Sequence, residues 1–246
     1  MTARALVLLR HGQTDYNHAM RMQGQIDIPL NDTGRQQAER AAEVLGGADL
    51  TRIVSSDLSR ALETAQILGR AAGLDVTTDE GFRERGFGLW EGHTHEELQA
   101  GWPEQYDHWR AGRDPEGIGV ESRAGAGERV GLALRAVAEA ADDGEIVAVV
   151  AHGAAITLGI AHILDMGAHS YWLGGMGNCH WSVVAQNPGR EPAWRLGVHN
   201  IGVDLVPRPH RTILDRASET KDHGDQQVTG GSGRPTQADQ TGVPGR

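Results

Sequence analysis

The apolar run Leu6-Val7-Leu8-Leu9 passes directly into Arg10-His11-Gly12, with Gln13-Thr14-Asp15-Tyr16-Asn17 beyond. A short, unbroken run of this kind, flanked by turn formers, is the pattern of a strand buried on both faces, as in parallel sheets. In open α/β sheets ligands bind beyond the carboxyl ends of the strands. Arg10 and His11 therefore belong at the crevice, and Gly12 at a turn that most side chains would hinder. A second such run, Glu145 to Ala151, enters His152-Gly153 in the same way. If the two strands are neighbours, two imidazoles lie side by side.

The segments between them read as alternating elements. Arg21 to Leu30 lacks helical periodicity and reads as a loop. Asn31-Asp32-Thr33 offers helix caps, and Gly34 to Leu45 supplies helix formers up to Gly46-Gly47. A short strand over Arg52 to Ser56 precedes a helix from Asp57 to Ala72, whose Leu58, Ala61, Leu62, Ala65 and Leu68 recur at helical spacing. Leu74 to Thr78 resembles a third strand, and Gly81 to Gly92 is irregular. Thr94-x-x-Glu97 forms a capping box for a short helix, and Asp114 to Gly119 is a loop. Val130, Leu134, Val137, Ala138 and Ala141 mark a further helix, and a small-residue helix ends at Leu164. Gly174 to Asn178 is a turn before two strands at about 180–186 and 193–199.

Length and composition bound the function. The 246 residues hold one α/β domain of roughly 200 residues plus an extension. Residues 1–206 are assigned to that domain. From Pro207 the chain is rich in Gly, Asp, Gln, Thr and Arg and contains no aromatic residue, so 207–246 reads as a disordered tail. With 33 acidic against 23 basic residues, the net charge of −10 argues against nucleic acid as a partner. A small phosphorylated substrate needs only a local cluster of arginines. The single Cys179 permits no internal disulfide, and no segment approaches a membrane span. A soluble cytoplasmic protein is expected, and a homodimer is compatible with the sequence.

Between the two histidines lie Ser55-Ser56-Asp57-Leu58-Ser59-Arg60-Ala61, a strand end opening a helix, and Phe82-Arg83-Glu84. A strand-to-helix junction turns backbone amides toward the crevice, and Arg60, one turn in, can aim at the same place. Arg10 and Arg60 together would clamp a phosphate with planar, permanently charged forks. Each residue also has a plain structural reading: a histidine satisfying a buried hydrogen bond, an arginine or glutamate on a solvated face. His93-Thr94-His95 lacks a metal-ligand spacing and is explained as part of a helix cap, so no metal and no cofactor are expected. Gly174-Gly175-x-Gly177 has no preceding apolar strand and is no dinucleotide fingerprint. The tryptophans read as core or pocket wall.

Taken together, Arg10-His11-Gly12 with Thr14, Ser56 with Arg60-Ala61, Arg83-Glu84-Arg85 before Gly88-Leu89-Trp90-Glu91-Gly92, and Ala151-His152-Gly153 resemble the histidine phosphatase (phosphoglycerate mutase-like) superfamily over residues about 4–200. The resemblance implies a three-layer α/β/α sandwich with a mostly parallel central sheet. It implies His11 as nucleophile and Glu84 as proton donor to the leaving alcohol and base for the incoming water. Arg10, Asn17, Arg60 and His152 would bind the phosphoryl group. Gln23, Gly24 and Gly153 are assigned to substrate binding.

Within the superfamily, Glu91 to Arg123 is poor in basic residues, which resembles the phosphatases more than the cofactor-dependent mutases. Arg21 to Gln25, Ser55 to Leu58, Thr94-His95 and Leu173 to Asn178 with Trp181 resemble the actinobacterial glucosyl-3-phosphoglycerate phosphatases. One departure is Gly119-Val120-Glu121-Ser122, where that family has Gly-Gly-Glu-Ser at a lid over the pocket. The expected activity is hydrolysis of glucosyl-3-phosphoglycerate to glucosylglycerate and phosphate. The alternatives are a broad sugar-phosphate phosphatase, a phosphoglycerate mutase, or a non-enzymatic phospho-ligand sensor.

Overall fold

The strand at Ala5–Arg10 (β1) is buried along its length until Arg10, as a double-covered strand should be. In the computed structural model, residues 2–167 and 172–203 are described. The 207–246 tail and the boundary at 206 lie outside them. After β1 come a single helical turn, α1 (Asp15–His18), and α2 (Asp32–Leu45), capped by the Asn31 side chain. Then follow β2 (Arg52–Ser55), α3 (Ser59–Ala72) and β3 (Val76–Thr78). The cap helices α4 (His95–Gly101) and α5 (Pro103–Arg110) precede α6 (Arg123–Glu139), β4 (Ile146–Ala151) and α7 (Gly153–Ile163). The described residues end with β5 (Trp181–Gln186) and β6 (Trp194–Ile201).

The six strands form one sheet in the order β3-β2-β4-β1-β5-β6. β1 and β4 run parallel, with Arg10 opposite Ala151, so His11 and His152 leave the sheet at matching positions. β2 and β3 continue the parallel half, whereas β5 and β6 pair antiparallel at the other edge.

Alternation along β1 divides the core. Ala5, Val7 and Leu9 pack on one face with Ala38, Ala41 and Leu45 of α2 and Ala61, Ala65 and Leu68 of α3. Leu6 and Leu8 face Val130 and Leu134 of α6 and Ile156 and Ile160 of α7. This period of two produces the helix–sheet–helix layering. Truncating a fully buried leucine such as Leu8 to alanine is expected to cost about 2–5 kcal/mol.

Three elements depart from the sequence expectation. α6 starts at Arg123 rather than near Val130, because its inward positions are Ala126, Gly127 and Gly131 instead of large apolar residues. A Cβ on Gly131 would lie 2.3 Å from His162 Cδ2, so the close approach of α6 and α7 itself requires glycine. α5 has no fully buried residue, but Trp102, Tyr106 and Trp109 recur at helical spacing and lie partly buried against the Trp90 core, and Pro103 at its first turn is a start signal, so its signature was present in the sequence. β3 begins at Val76 because the Leu74 amide is taken by the Gly69 carbonyl at the end of α3.

Trp90, fully buried, lies at the centre of a separate small core with Phe87, Leu98 and Ile118, flanked by Trp102, Tyr106 and Trp109. Trp90, Trp181 and Trp194 are core residues, as expected, whereas Trp172 is 82% exposed.

Candidate active site

The end of β1 is held on both sides. The Arg10 amide donates to the His180 carbonyl (2.9 Å) and the His11 amide to the Ala151 carbonyl (3.0 Å). At Gly12 the backbone meets that of α2 so closely that a Cβ would lie 2.4 Å from the Gly34 oxygen. The Gly12 amide donates to Thr64 Oγ1 (3.1 Å), whose hydroxyl donates to the Arg60 carbonyl (2.7 Å). The turn carrying His11 is thereby tied to α3.

His11 Nδ1 is 2.6 Å from the Gly12 carbonyl, which can only accept, so Nδ1 carries the ring proton. Burial, then the charges of Arg10 and Arg60, hold the His11 pKa well below the ordinary imidazole value. The ring is therefore neutral, and Nε2 keeps a lone pair.

His152 lies beside it, with ring centroids 5.1 Å apart. Arg60 Nε donates to His152 Nδ1 (3.2 Å), so the proton of a neutral His152 sits on Nε2, facing Ser56 Oγ at 2.9 Å. Burial and the neighbouring Arg60 also push the His152 pKa well down. Two imidazolium charges 5.1 Å apart would repel by about 3 kcal/mol at an effective dielectric of about 20, in addition to two guanidiniums. Electrostatics thus favour two neutral rings.

Arg60 is fully buried although it stands in the first turn of α3. Its Nη1 donates to the Ile26 carbonyl and its Nη2 to the Gly24 carbonyl, each at 2.8 Å, so the 21–26 loop folds over it. Burial lowers its pKa to about 10, against the opposing charges of Glu84 and Asp27. Gly24 has φ +54°, and a Cβ there would collide with the Glu91 carboxylate, which accepts from the Gln25 amide. Arg10 donates through Nη1 to the Met176 carbonyl, while its buried Nε has no partner. A buried, charged donor left unpaired is unfavourable unless an anion completes it. Gly153 leaves room there, since its Cβ would lie 3.4 Å from Arg10 Nε.

Glu84 reaches the site from the segment after a 3-10 turn at Glu80–Phe82. Its Oε1 accepts from the Arg85 (2.9 Å) and Ala155 (2.8 Å) amides and its Oε2 from the Ala154 amide (3.2 Å). The carboxylate therefore caps the start of α7, where a helix favours negative charge. Asn17 is locked by a capping box with Thr14, and Gln23 Oε1 accepts from Thr14 Oγ1 (2.8 Å).

The structure thus gathers Arg10, His11, Arg60, Glu84, His152 and Gly153 around the ends of β1 and β4, and ties Asn17, Gln23 and Gly24 to them through Asn178, Thr14 and Arg60. Sequence reasoning assigned no role to Ser56, Thr64 or Asn178. Asn178 Nδ2 donates to the His11 carbonyl (3.1 Å) and to Asn17 Oδ1 (3.2 Å), and its position in a glycine-rich turn was the one available signal. Among the described residues no group of three or more His, Cys, Asp or Glu is arranged to hold a metal. His93 packs edge-on against Trp102, and His95 stacks on Trp109. Nor is any helix of the described residues long and apolar enough to cross a membrane.

The family described as histidine phosphatase superfamily (branch 1) matches residues 6–200. Glucosyl-3-phosphoglycerate phosphatase of Mycolicibacterium vanbaalenii is 41% identical over 221 residues, covering 84% of this chain and 98% of that protein. A solved structure of mycobacterial glucosyl-3-phosphoglycerate phosphatase in complex with VO3 is 41% identical, with a TM-score of 0.73 over 80% of this chain and 98% of that one. Phosphoserine phosphatase of Entamoeba histolytica, in complex with 3-phosphoglyceric acid, is 32% identical with a TM-score of 0.70, covering 82% of this chain and 99% of that chain.

Proposed function

Because the chain belongs to the histidine phosphatase superfamily, we propose that it hydrolyses glucosyl-3-phosphoglycerate to glucosylglycerate and phosphate through a phosphohistidine on His11. The observation that carries the mechanism is the Nδ1–H···O=C bond from His11 to Gly12, which reserves the Nε2 lone pair for phosphorus.

In the first step Nε2 bonds to phosphorus as the ester P–O bond breaks. The departing oxygen keeps the electron pair and takes a proton from the Glu84 carboxyl. In the second, the Glu84 carboxylate removes a proton from water, the hydroxide oxygen bonds to phosphorus, and the P–N electron pair returns to His11. Arg10, through its unpartnered Nε, and Arg60 supply the positive charge for the equatorial oxygens, so no metal is required. His152, with both ring nitrogens engaged, supports this clamp by fixing the Arg60 fork. Asn17 and Gln23 border the phosphate, with Gly24 and Gly153 giving the loops their close approach.

Val120, the departure from that family's pattern, is partly buried against the Trp90 core. The substrate assignment is supported by the relatives' names. Phosphate release is expected to persist in excess chelator and to vanish in His11→Ala; equal activity in the two proteins would refute the mechanism. Glucosyl-3-phosphoglycerate is expected to have a higher kcat/KM than 3-phosphoglycerate or common sugar phosphates, and a flat profile would refute the substrate.

A further inference from the structure

Arg129 lies on α6, in none of the motifs above, and its guanidinium spends all five of its N–H groups within the protein. Nη1 donates to the carbonyls of Gly81 and Arg83, both at 2.9 Å. Nη2 donates to the Glu84 carbonyl (3.3 Å) and to Glu121 Oε2 (2.9 Å), and Nε to Glu121 Oε1 (3.0 Å). Three main-chain carbonyls within four residues, those of Gly81, Arg83 and Glu84, therefore converge on one planar fork. Glu121 closes the ring from the other side: its Oε2 accepts from the Gly86 amide (3.0 Å) and its amide donates to the Gly86 carbonyl (2.9 Å). Its own carbonyl accepts from Arg85 Nε (2.7 Å), and buried Arg85 pairs with Asp114 (2.7 Å).

Residues 83–86 have no helix or strand of their own to set their path. The α7 amides fix the Glu84 carboxylate at its tip, and the backbone that delivers it is held by side chains from α6 and the 114–122 loop, with Gln25 Nε2 donating one further bond to the Glu84 carbonyl (3.1 Å). Misplacing a proton-transfer group by about 1 Å can cost on the order of 100-fold in rate. Such a brace therefore bears on chemistry as well as on folding.

We propose that Arg129, with Glu121 as its counter-anchor, is a positioning residue for proton transfer by Glu84, acting through the 81–84 backbone. This rests on the reading of Glu84 as the acid that protonates the leaving alcohol. Lysine cannot replace the arginine, because a point cation on a flexible stem cannot serve carbonyls and a bidentate carboxylate at once.

The test compares two esters by kcat/KM, which reports the phosphorylation step. An alkyl ester, 3-phosphoglycerate, needs its leaving oxygen protonated; p-nitrophenyl phosphate, whose leaving group is acidic, does not. Arg129→Lys and Glu121→Gln are each expected to lower kcat/KM for the alkyl ester by about 10- to 100-fold while changing the aryl ester by less than about threefold. A merely structural role would lower both esters together. Equal losses, or no loss on the alkyl ester, would overturn the proposal. Arg129→Met serves as a third variant if its thermal unfolding shows it folded. Glu84→Gln in the same assay separates the premise: it should show the same asymmetry, larger, at about 100- to 10,000-fold. If Glu84→Gln is symmetric, the acid assignment fails and the brace loses its purpose. If Glu84→Gln is asymmetric and the Arg129 variants are not, only the brace is refuted.

Discussion

The ends of β1 and β4 are written almost alike, each an apolar run into His-Gly, yet they hold their imidazoles in opposite hydrogen-bonded states. His11 donates Nδ1–H to the next carbonyl and leaves Nε2 uncommitted. His152 has both nitrogens engaged, by Arg60 and by Ser56. Equivalent positions in parallel strands place the two rings side by side, but on the proposed mechanism the neighbours of each ring decide which one can attack phosphorus. A strand-end histidine becomes a nucleophile only where its surroundings fix one tautomer and spare the other nitrogen.

Several substitutions would break or sharpen this contrast. The largest effect is expected from His11→Ala, at least about 10,000-fold in kcat/KM for any phosphomonoester, because no other group supplies the nucleophile. If His152 can substitute as nucleophile, that loss will be far smaller and the contrast between the rings collapses. His152→Gln should be intermediate, about 100- to 1,000-fold, because it releases the Arg60 fork that on the proposed mechanism meets the transition-state charge. Steady-state assays beside a thermal melt distinguish this from unfolding.

Ser56→Ala removes the contact at His152 Nε2 and the bond that Ser56 Oγ accepts from the Leu58 amide (3.3 Å), and is expected to cost about two- to tenfold, the scale of neutral hydrogen bonds. A loss as large as that of His152→Gln would mean that Ser56 acts on the reaction itself. The smallest effect concerns stability. Both rings stay neutral in the fold at pH values where, unfolded, they protonate near 6.5. The unfolded chain therefore binds more protons below that pH. Stability should be full above about pH 6.5 and fall as pH drops through it toward the lower folded values. Urea midpoints across this range should decline toward acid, and His152→Gln should flatten part of that decline; an unchanged slope would contradict its buried neutral state.

Much of this arrangement was legible in the sequence. The runs at Leu6–Leu9 and Glu145–Ala151 declare buried strands because parallel strands must be apolar on both faces, and their ends place His11 and His152. Arg60 was legible from its place one turn into α3. The states of the two rings were not, since they depend on a carbonyl one residue away in one case and on side chains 92 and 96 residues away in the other. Glu84 could be named, but its seat on the α7 amides and its brace by Arg129 are long-range contacts with no periodic trace. The start of α6 was hidden because glycine and alanine fill its packed face. α5 carried a signal that was not read, Trp102, Tyr106 and Trp109 at helical spacing, because its stripe is only partly buried against the small Trp90 core.

The central claim is that His11 Nε2, and no other atom, accepts the phosphoryl group. Rapid quenching of the turning-over enzyme with labelled phosphomonoester under alkaline conditions, followed by peptide mapping, tests it directly. Acid-labile phosphate is expected on residue 11, bonded at Nε2, and none in His11→Ala. Label on His152, on His11 Nδ1, or on no histidine at all would contradict it.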